Sequence, residues 1–393
     1  MGARDEIVKR TAFAILAPLS YLAILIARSF SSMGRLPADP GYDYVLDGSE
    51  QGWGALTLGD PYFHFGARFI ALIVSWFPLA SQVVALSVFV HLVWSGCALI
   101  IAYIVTHESQ QKWLGYLSGL LIVTAPHASE SGLGNVGNVK WPIIAALITA
   151  CCSPTSLSRH PALLSVLAVI SGFTQPLTIL CVIPLVLESL RNRNLSRNQL
   201  ILMGVISGTL LVQIAKVGVS TAFSGQSTKV TAPWDGMGLF WWSGLIGPFM
   251  VSLACCIILL IRQRMSAISL FPFKLAFMAG LLSIASYRMG GIADRYFIAP
   301  MSLALIAMFV TQNEVFVTRQ RLRILGWIVS ILVLSVPTVK WFSSGPYLMT
   351  PPNWKAEIAR VTQLCATSPS KLVAVSTSAY GGNELRCSYI LND

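Results

Sequence analysis

Five carboxylates, Asp39, Asp43, Asp47, Glu50 and Asp60, fall within one polar stretch, residues 28–62, of a chain in which charged residues are only 11%. Carboxylates held beside an apolar phase serve as general bases or cation ligands. A run of them also simply solvates a loop. Their neighbours sort them. Asp43 stands mid-stretch between Tyr42 and Tyr44, whose rings suit either a sugar platform or an interfacial anchor. Asp47 is one helical turn further on. Asp39 lies between Pro37 and Pro40, which suits a turn, and Asp60 precedes Pro61, which suits a cap.

A second set of polar residues sits at the edges of apolar runs. His64 and Arg68 stand one helical turn apart in Tyr62-Phe-His-Phe-Gly-Ala-Arg68, so a helix there turns both to one side. Asn135, Asn138 and Lys140 precede Trp141, and Arg288, Asp294 and Arg295 bracket Met289-Gly-Gly-Ile-Ala293. Plainer readings exist: Arg295 pairs with Asp294, and Lys140 with Trp141 anchors an interface. A charge at mid-bilayer costs about 2.5–3.5 kcal/mol. Carboxylates, arginines and amides gathered at one membrane face therefore suggest an outward-facing polar cavity. Gly132-Leu-Gly-Asn-Val-Gly137 matches the dinucleotide fingerprint in letters only, because it joins two apolar runs and lacks the strand and βαβ unit the fingerprint needs. A tight turn accounts for its glycines. His91, inside an apolar run, reads as a hydrogen-bonded packing residue.

What must position these groups is a membrane domain. The chain has 393 residues, 55% of them hydrophobic, and a mean hydropathy of +0.68, which places it among polytopic membrane proteins. The net charge of +11 is spread in short clusters between apolar runs, against nucleic acid as a partner and in line with the positive-inside pattern. At about 17–25 residues per crossing, the spacing predicts an all-α polytopic fold of about eleven spans. These are 11–27, 80–106, 113–126, 139–152, 162–173, 177–187, 200–217, 240–261, 270–287, 296–310 and 325–339. An amphipathic piece, 65–77, ends at Pro78 before the second span.

The runs at 162–173 and 177–187 are too short to cross alone and meet at Gln175-Pro176, as a hairpin or as one kinked helix. The hairpin keeps Arg191, Arg193, Arg197, Arg262, Arg264, Arg319, Arg321 and Arg323 on the side of Arg4, Lys9 and Arg10, so the charge bias selects it. The N-terminus is then cytoplasmic, and the first run is an uncleaved helix rather than a signal peptide. The acidic loop, 30–64, faces outward with Glu130, Asp235, Asp294 and the C-terminus. Residues 1–342 form the transmembrane domain, and 343–393 form a small extracytoplasmic α/β tail. There Trp354, Ile358, Val361 and Cys365 recur at helical spacing behind Pro351-Pro352, and 371–376 reads as a strand. So small a tail has little core of its own, and a Cys365–Cys387 bridge would help hold it. The other six cysteines fall in apolar runs as small hydrophobes, with no zinc-like spacing. No internal repeat is visible, which disfavours an inverted-repeat transporter.

One N-terminal helix, an acidic outer loop, Asp60-Pro-Tyr-Phe-His-Phe-Gly-Ala-Arg68, Gly134-Asn-Val-Gly-Asn-Val-Lys-Trp141 and Arg295-Tyr-Phe-Ile-Ala-Pro300 follow in that order. Over most of its length the chain thus resembles bacterial multi-spanning glycosyltransferases of the GT-C superfamily, which use polyprenyl-phosphate sugars. The resemblance implies a multi-pass enzyme of the cell (inner) membrane, active on the extracytoplasmic face. A loop carboxylate accepts the proton of a hydroxyl on a glycan or lipid, and that oxygen displaces polyprenyl phosphate from the anomeric carbon. Asp43 is then the expected base and Asp47 the runner-up. Arg68 and Arg295, with Lys140 and Arg288 as second choices, are expected at the leaving phosphate. His64, Tyr62, Asn135 and Asn138 are expected around the substrate. Some branches carry two adjacent acidic residues in this loop, and this sequence has none adjacent. A lipid monophosphate leaving group demands no metal, so neither metal nor cofactor is expected. Two rivals are a polysaccharide polymerase or lipid-linked glycan flippase, which would carry charge clusters in mid-span, and a non-catalytic membrane scaffold.

Overall fold

The computed structural model describes residues 3–30, 33–35, 41–57, 63–125, 135–218, 246–261, 270–290, 297–316, 328, 353–368, 372–378 and 381–391. These residues are mostly helical, with one small two-stranded sheet near the C-terminus. Helix α1, Ala3–Ser29, buries Ala17, Tyr21, Leu25 and Ser29, every fourth residue, and leaves Leu16 and Leu19 exposed. That is the stripe of a helix packed on one side only. Its last turn is tied down by Arg28, whose guanidinium donates to the carbonyls of Val123 (2.5 Å) and Ala125 (3.2 Å). These are carbonyls that the C-terminus of a helix leaves without an internal partner.

The chain then forms a short helix, α2 (Gly41–Gln51), followed by a 3-10 turn, Gly52–Thr57. Next come α3 (Phe65–Val74), α4 (Leu79–Ser109) and α5 (Lys112–Val123). Pro78 separates α3 from α4, as its fixed φ and missing N–H dictate. Helices α4 and α5 form a tight hairpin. A Cβ on Gly115 of α5 would meet Thr106 Oγ1 and the Ala102 carbonyl of α4, whereas one on Gly204 would meet nothing within 4 Å. We expect Gly115→Ala to lower stability by about 1–3 kcal/mol through overpacking, despite a helix-propensity gain of about 1 kcal/mol. Gly204→Ala should be neutral or stabilising. Thermal unfolding in detergent compares the two, and equal shifts would mean that the hairpin has room to adjust.

The centre of the bundle is α6, Lys140–Cys152, in which every residue after Lys140 is buried. A helix that is apolar all round must be enclosed, and α4, α8, α9, α12 and α13 surround it. These follow as α7 (Pro154–Arg159), α8 (Pro161–Thr174), α9 (Val182–Asn192), α10 (Arg197–Val217), α11 (Gly247–Ile261), α12 (Leu270–Gly290) and α13 (Ile298–Phe316). Between α8 and α9 the backbone of Gln175 is extended (φ −159°, ψ 142°) and Pro176 opens a 3-10 turn, Pro176–Cys181. The α-helical run is therefore interrupted at Gln175-Pro176. Buried Lys274 of α12 pairs with Glu188 of α9.

Three helical segments, Leu79–Ser109, Arg197–Lys216 and Ile298–Val315, are long and apolar enough to cross a membrane. Several others are apolar but shorter, and the expected span at 325–339 lies outside the described residues except for residue 328. The tail consists of α14 (Trp354–Thr367), an antiparallel hairpin of β1 (Leu372–Ser378) and β2 (Gly381–Arg386), and α15 (Cys387–Leu391). Asn353 caps α14 by accepting from the amides of Lys355 and Ala356. Trp354, Ile358, Val361 and Cys365 form the buried face of α14, and Cys365 is bonded to Cys387. Cys97, Cys151, Cys152 and Cys181 are buried free thiols.

Candidate functional site

The acidic stretch is not plain loop. Helix α2 turns Tyr42, Tyr44, Val45 and Gly48 inward. Asp43, Asp47 and Glu50, at i, i+4 and i+7, form the opposite face. Gly48 sets the approach of α2 to α3, because a Cβ there would lie 3.1 Å from Leu72 Cα. This packing brings Arg68 of α3 beneath α2. Its buried guanidinium donates to Asp47 Oδ2 at 2.7 Å and to the Ala55 carbonyl at 3.3 Å, and lies 4.7 Å from the centre of the Tyr44 ring. Tyr44 thus serves as a cation–π face for Arg68.

His64 caps the other end of this constellation. It precedes α3 in a left-handed conformation (φ 49°, ψ 35°) with its ring 5.7 Å from that of Tyr44. Such backbone costs about 1–3 kcal/mol and clusters at functional sites. Next to it, the amide of Gly66 donates to Thr174 Oγ1 at 2.9 Å, and Gln175 Nε2 donates to the Lys140 carbonyl at 3.3 Å. The start of α6 and the turn after α8 therefore close the same corner. Asn135 and Asn138 are buried there, and Asn135 Oδ1 accepts from the Gly137 amide at 2.8 Å. Lys140 holds its ammonium 5.4 Å from the Trp141 ring centre.

Burial, and then the charges of Lys140 and Arg68, hold the His64 proton affinity well below the ordinary histidine range. The imidazole is neutral at physiological pH, with one nitrogen able to donate and one to accept. The unfolded chain takes up this proton as pH falls through about 6.5, and the folded protein does not. His64 therefore costs the fold little above about pH 6.5, and stability is lost below it, by about 1 kcal/mol from about pH 6.5 to 5.5 and towards about 1.4 kcal/mol per pH unit beyond. Unfolding at pH 6.5 and 5.5 should show that loss, and His64→Asn should reduce it. An undiminished loss in His64→Asn would assign it to other groups.

The structure thus brings together Asp47, His64, Arg68, Lys140, Asn135 and Asn138. It places Asp43 one turn from Asp47 with its side chain exposed. Asp47 is half-buried where α2 meets Arg68, while Asp43, on the same face one turn nearer the start of α2, is exposed. Tyr42 and Tyr44 are buried supports and not an open platform. Tyr62, Arg295, Asp39, Asp60, Asp235, Asp294 and Glu130 lie outside the described residues, and so does the side chain of Arg288. Sequence reasoning missed Tyr44 as the partner of Arg68 and the part played by Thr174 and Gln175. The one available signal for the latter was the polar Thr-Gln-Pro break between two apolar runs. Among the described residues no three His, Cys, Asp or Glu side chains gather as metal ligands do. No family model, curated protein or solved structure matches this chain.

Proposed function

We propose that this chain is a multi-pass membrane glycosyltransferase of the GT-C type. It moves a sugar from a polyprenyl-phosphate donor to a hydroxyl of a cell-envelope glycan or lipid, on the extracytoplasmic face of the cell membrane. About eleven spans, with the N-terminus inside and the tail outside, complete the proposal. The observation that carries it is Arg68: a buried cation bonded to one carboxylate of an acidic helix, beside a neutral histidine and a lysine. The arrangement suits a leaving phosphate, which needs cations fixed before the charge develops.

The carboxylates divide the work by position. Asp47 holds Arg68, so its lone pairs face a competitor for any substrate proton. Asp43, one turn away and exposed, meets the acceptor hydroxyl as general base. The acceptor oxygen forms its bond to the anomeric carbon as the bond to the phosphate oxygen breaks. The proton passes to Asp43, and the charge leaves on polyprenyl phosphate. Arg68 and Lys140, with Arg295 and Arg288 as further candidates, receive it. His64, Asn135, Asn138 and Tyr62 orient the sugar.

The test is release of polyprenyl phosphate from polyprenyl-phosphate sugars by purified protein with a pool of hydroxyl acceptors. Release dependent on both partners supports the transferase. Transbilayer movement of the lipid without release points to a flippase, and neither process points to a scaffold.

A further inference from the structure

The tail does more than decorate the outer face: it grips the helix that carries the carboxylates. Trp354, the first residue of α14, is buried with its ring 4.5 Å from that of Tyr42 in α2. Its indole N–H donates to the Leu79 carbonyl at 2.7 Å, and its amide donates to the Gly34 carbonyl at 2.8 Å. Gly34 has φ +82°, a conformation that side chains other than glycine's disfavour, so the chain leaving α1 is shaped to present that carbonyl. A second contact comes from the far end of the tail. Tyr42 donates from its hydroxyl to Gln82 Oε1 at 3.1 Å, and Gln82 Nε2 reaches Tyr389 of α15 at 3.4 Å and the Phe77 carbonyl at 3.0 Å.

Tyr42 immediately precedes Asp43. It is held on its ring by Trp354 and at its hydroxyl by Gln82, which Tyr389 also touches. Trp354 lies on α14 and Tyr389 on α15, and the Cys365–Cys387 bond joins those two helices. From this juxtaposition we infer that the tail is a clasp in which Trp354 is a positioning residue, fixing α2 and through it the Asp43 carboxylate. The bridge keeps the two arms of the clasp in register. A clasp of this kind acts mainly on turnover, because it holds Tyr42, the neighbour of the base, whereas Asp47 and Tyr44 of the same helix keep their own contacts with Arg68. This last consequence rests on the reading of Asp43 as general base; the grip on α2 does not.

Hydrogen exchange of the α2 amides in full-length protein, read by mass spectrometry, tests the grip without any substrate. Trp354→Ala and the double variant Cys365→Ser/Cys387→Ser should each speed α2 exchange by about tenfold or more while α5 and α6 stay protected. Trp354→Phe keeps a ring against Tyr42 and should restore most of the protection. Unchanged α2 exchange in both loosened variants overturns the clasp. If Trp354→Ala also exposes α5 and α6, it has misfolded, and the cysteine pair and Trp354→Phe decide the matter. Turnover of a polyprenyl-phosphate sugar is the second arm: kcat should fall about tenfold or more in Trp354→Ala with donor KM nearly constant, and Trp354→Phe should recover it. Loosened α2 with unchanged kcat overturns the positioning role. Loosened α2 in a protein that never turns over the donor leaves the clasp standing and removes the glycosyltransferase reading.

Discussion

Asp43→Asn is expected to lower turnover by about 10²–10⁴-fold, the usual contribution of a general base, while donor binding and unfolding temperature stay near those of the wild type. The substitution keeps the shape of the side chain and removes its basicity. Asp43 is exposed on α2, and the carboxylate bonded to buried Arg68 is that of Asp47, so Asp43→Asn leaves the Arg68–Asp47 pair in place. Side-by-side kinetics of Asp43→Asn and Asp47→Asn check the assignment. Near-normal turnover in Asp43→Asn with a dead Asp47→Asn would move the base one turn along α2. Activity in both would remove the loop carboxylates from the chemistry altogether.

Arg68→Ala carries the second large effect. Removing one preorganised donor from a developing charge costs about 2.7–4 kcal/mol, a loss of about 10²–10³-fold in kcat. Arg68→Lys should restore little. An ammonium keeps the charge but cannot hold Asp47 and the Ala55 carbonyl while also presenting N–H groups to a phosphate. The planar contact with Tyr44 at 4.7 Å favours a guanidinium for the same reason. Full rescue by lysine would mean that a point charge suffices, and an unaffected alanine variant would exclude Arg68 from the site.

The broad membrane character was legible because it rests on local signals. Apolar runs, the proline after α3 and the Gln175-Pro176 break are written within a few residues of where they act. So is the buried stripe of Trp354, Ile358, Val361 and Cys365. Helix α2 was not legible as a helix. Its sequence carries two glycines and little net hydrophobicity, and α2 is held by contacts from outside itself: Leu72 against Gly48 and Trp354 against Tyr42. The division of labour between Asp43 and Asp47 was hidden for the same reason. Both stand at plausible spacing, and only the packing of α2 on α3 decides which one reaches Arg68. Likewise, no short-range pattern announces that residue 354 touches residue 42.

Single displacement by a hydroxyl activated on α2 would be read in the anomeric configuration of the product. Purified protein in proteoliposomes is given a polyprenyl-phosphate sugar of defined anomeric configuration, and the glycoside formed is read by NMR before it can equilibrate. Inversion is expected, with one polyprenyl phosphate released for each glycoside formed. Retention, or lipid phosphate release with no glycoside, would contradict it.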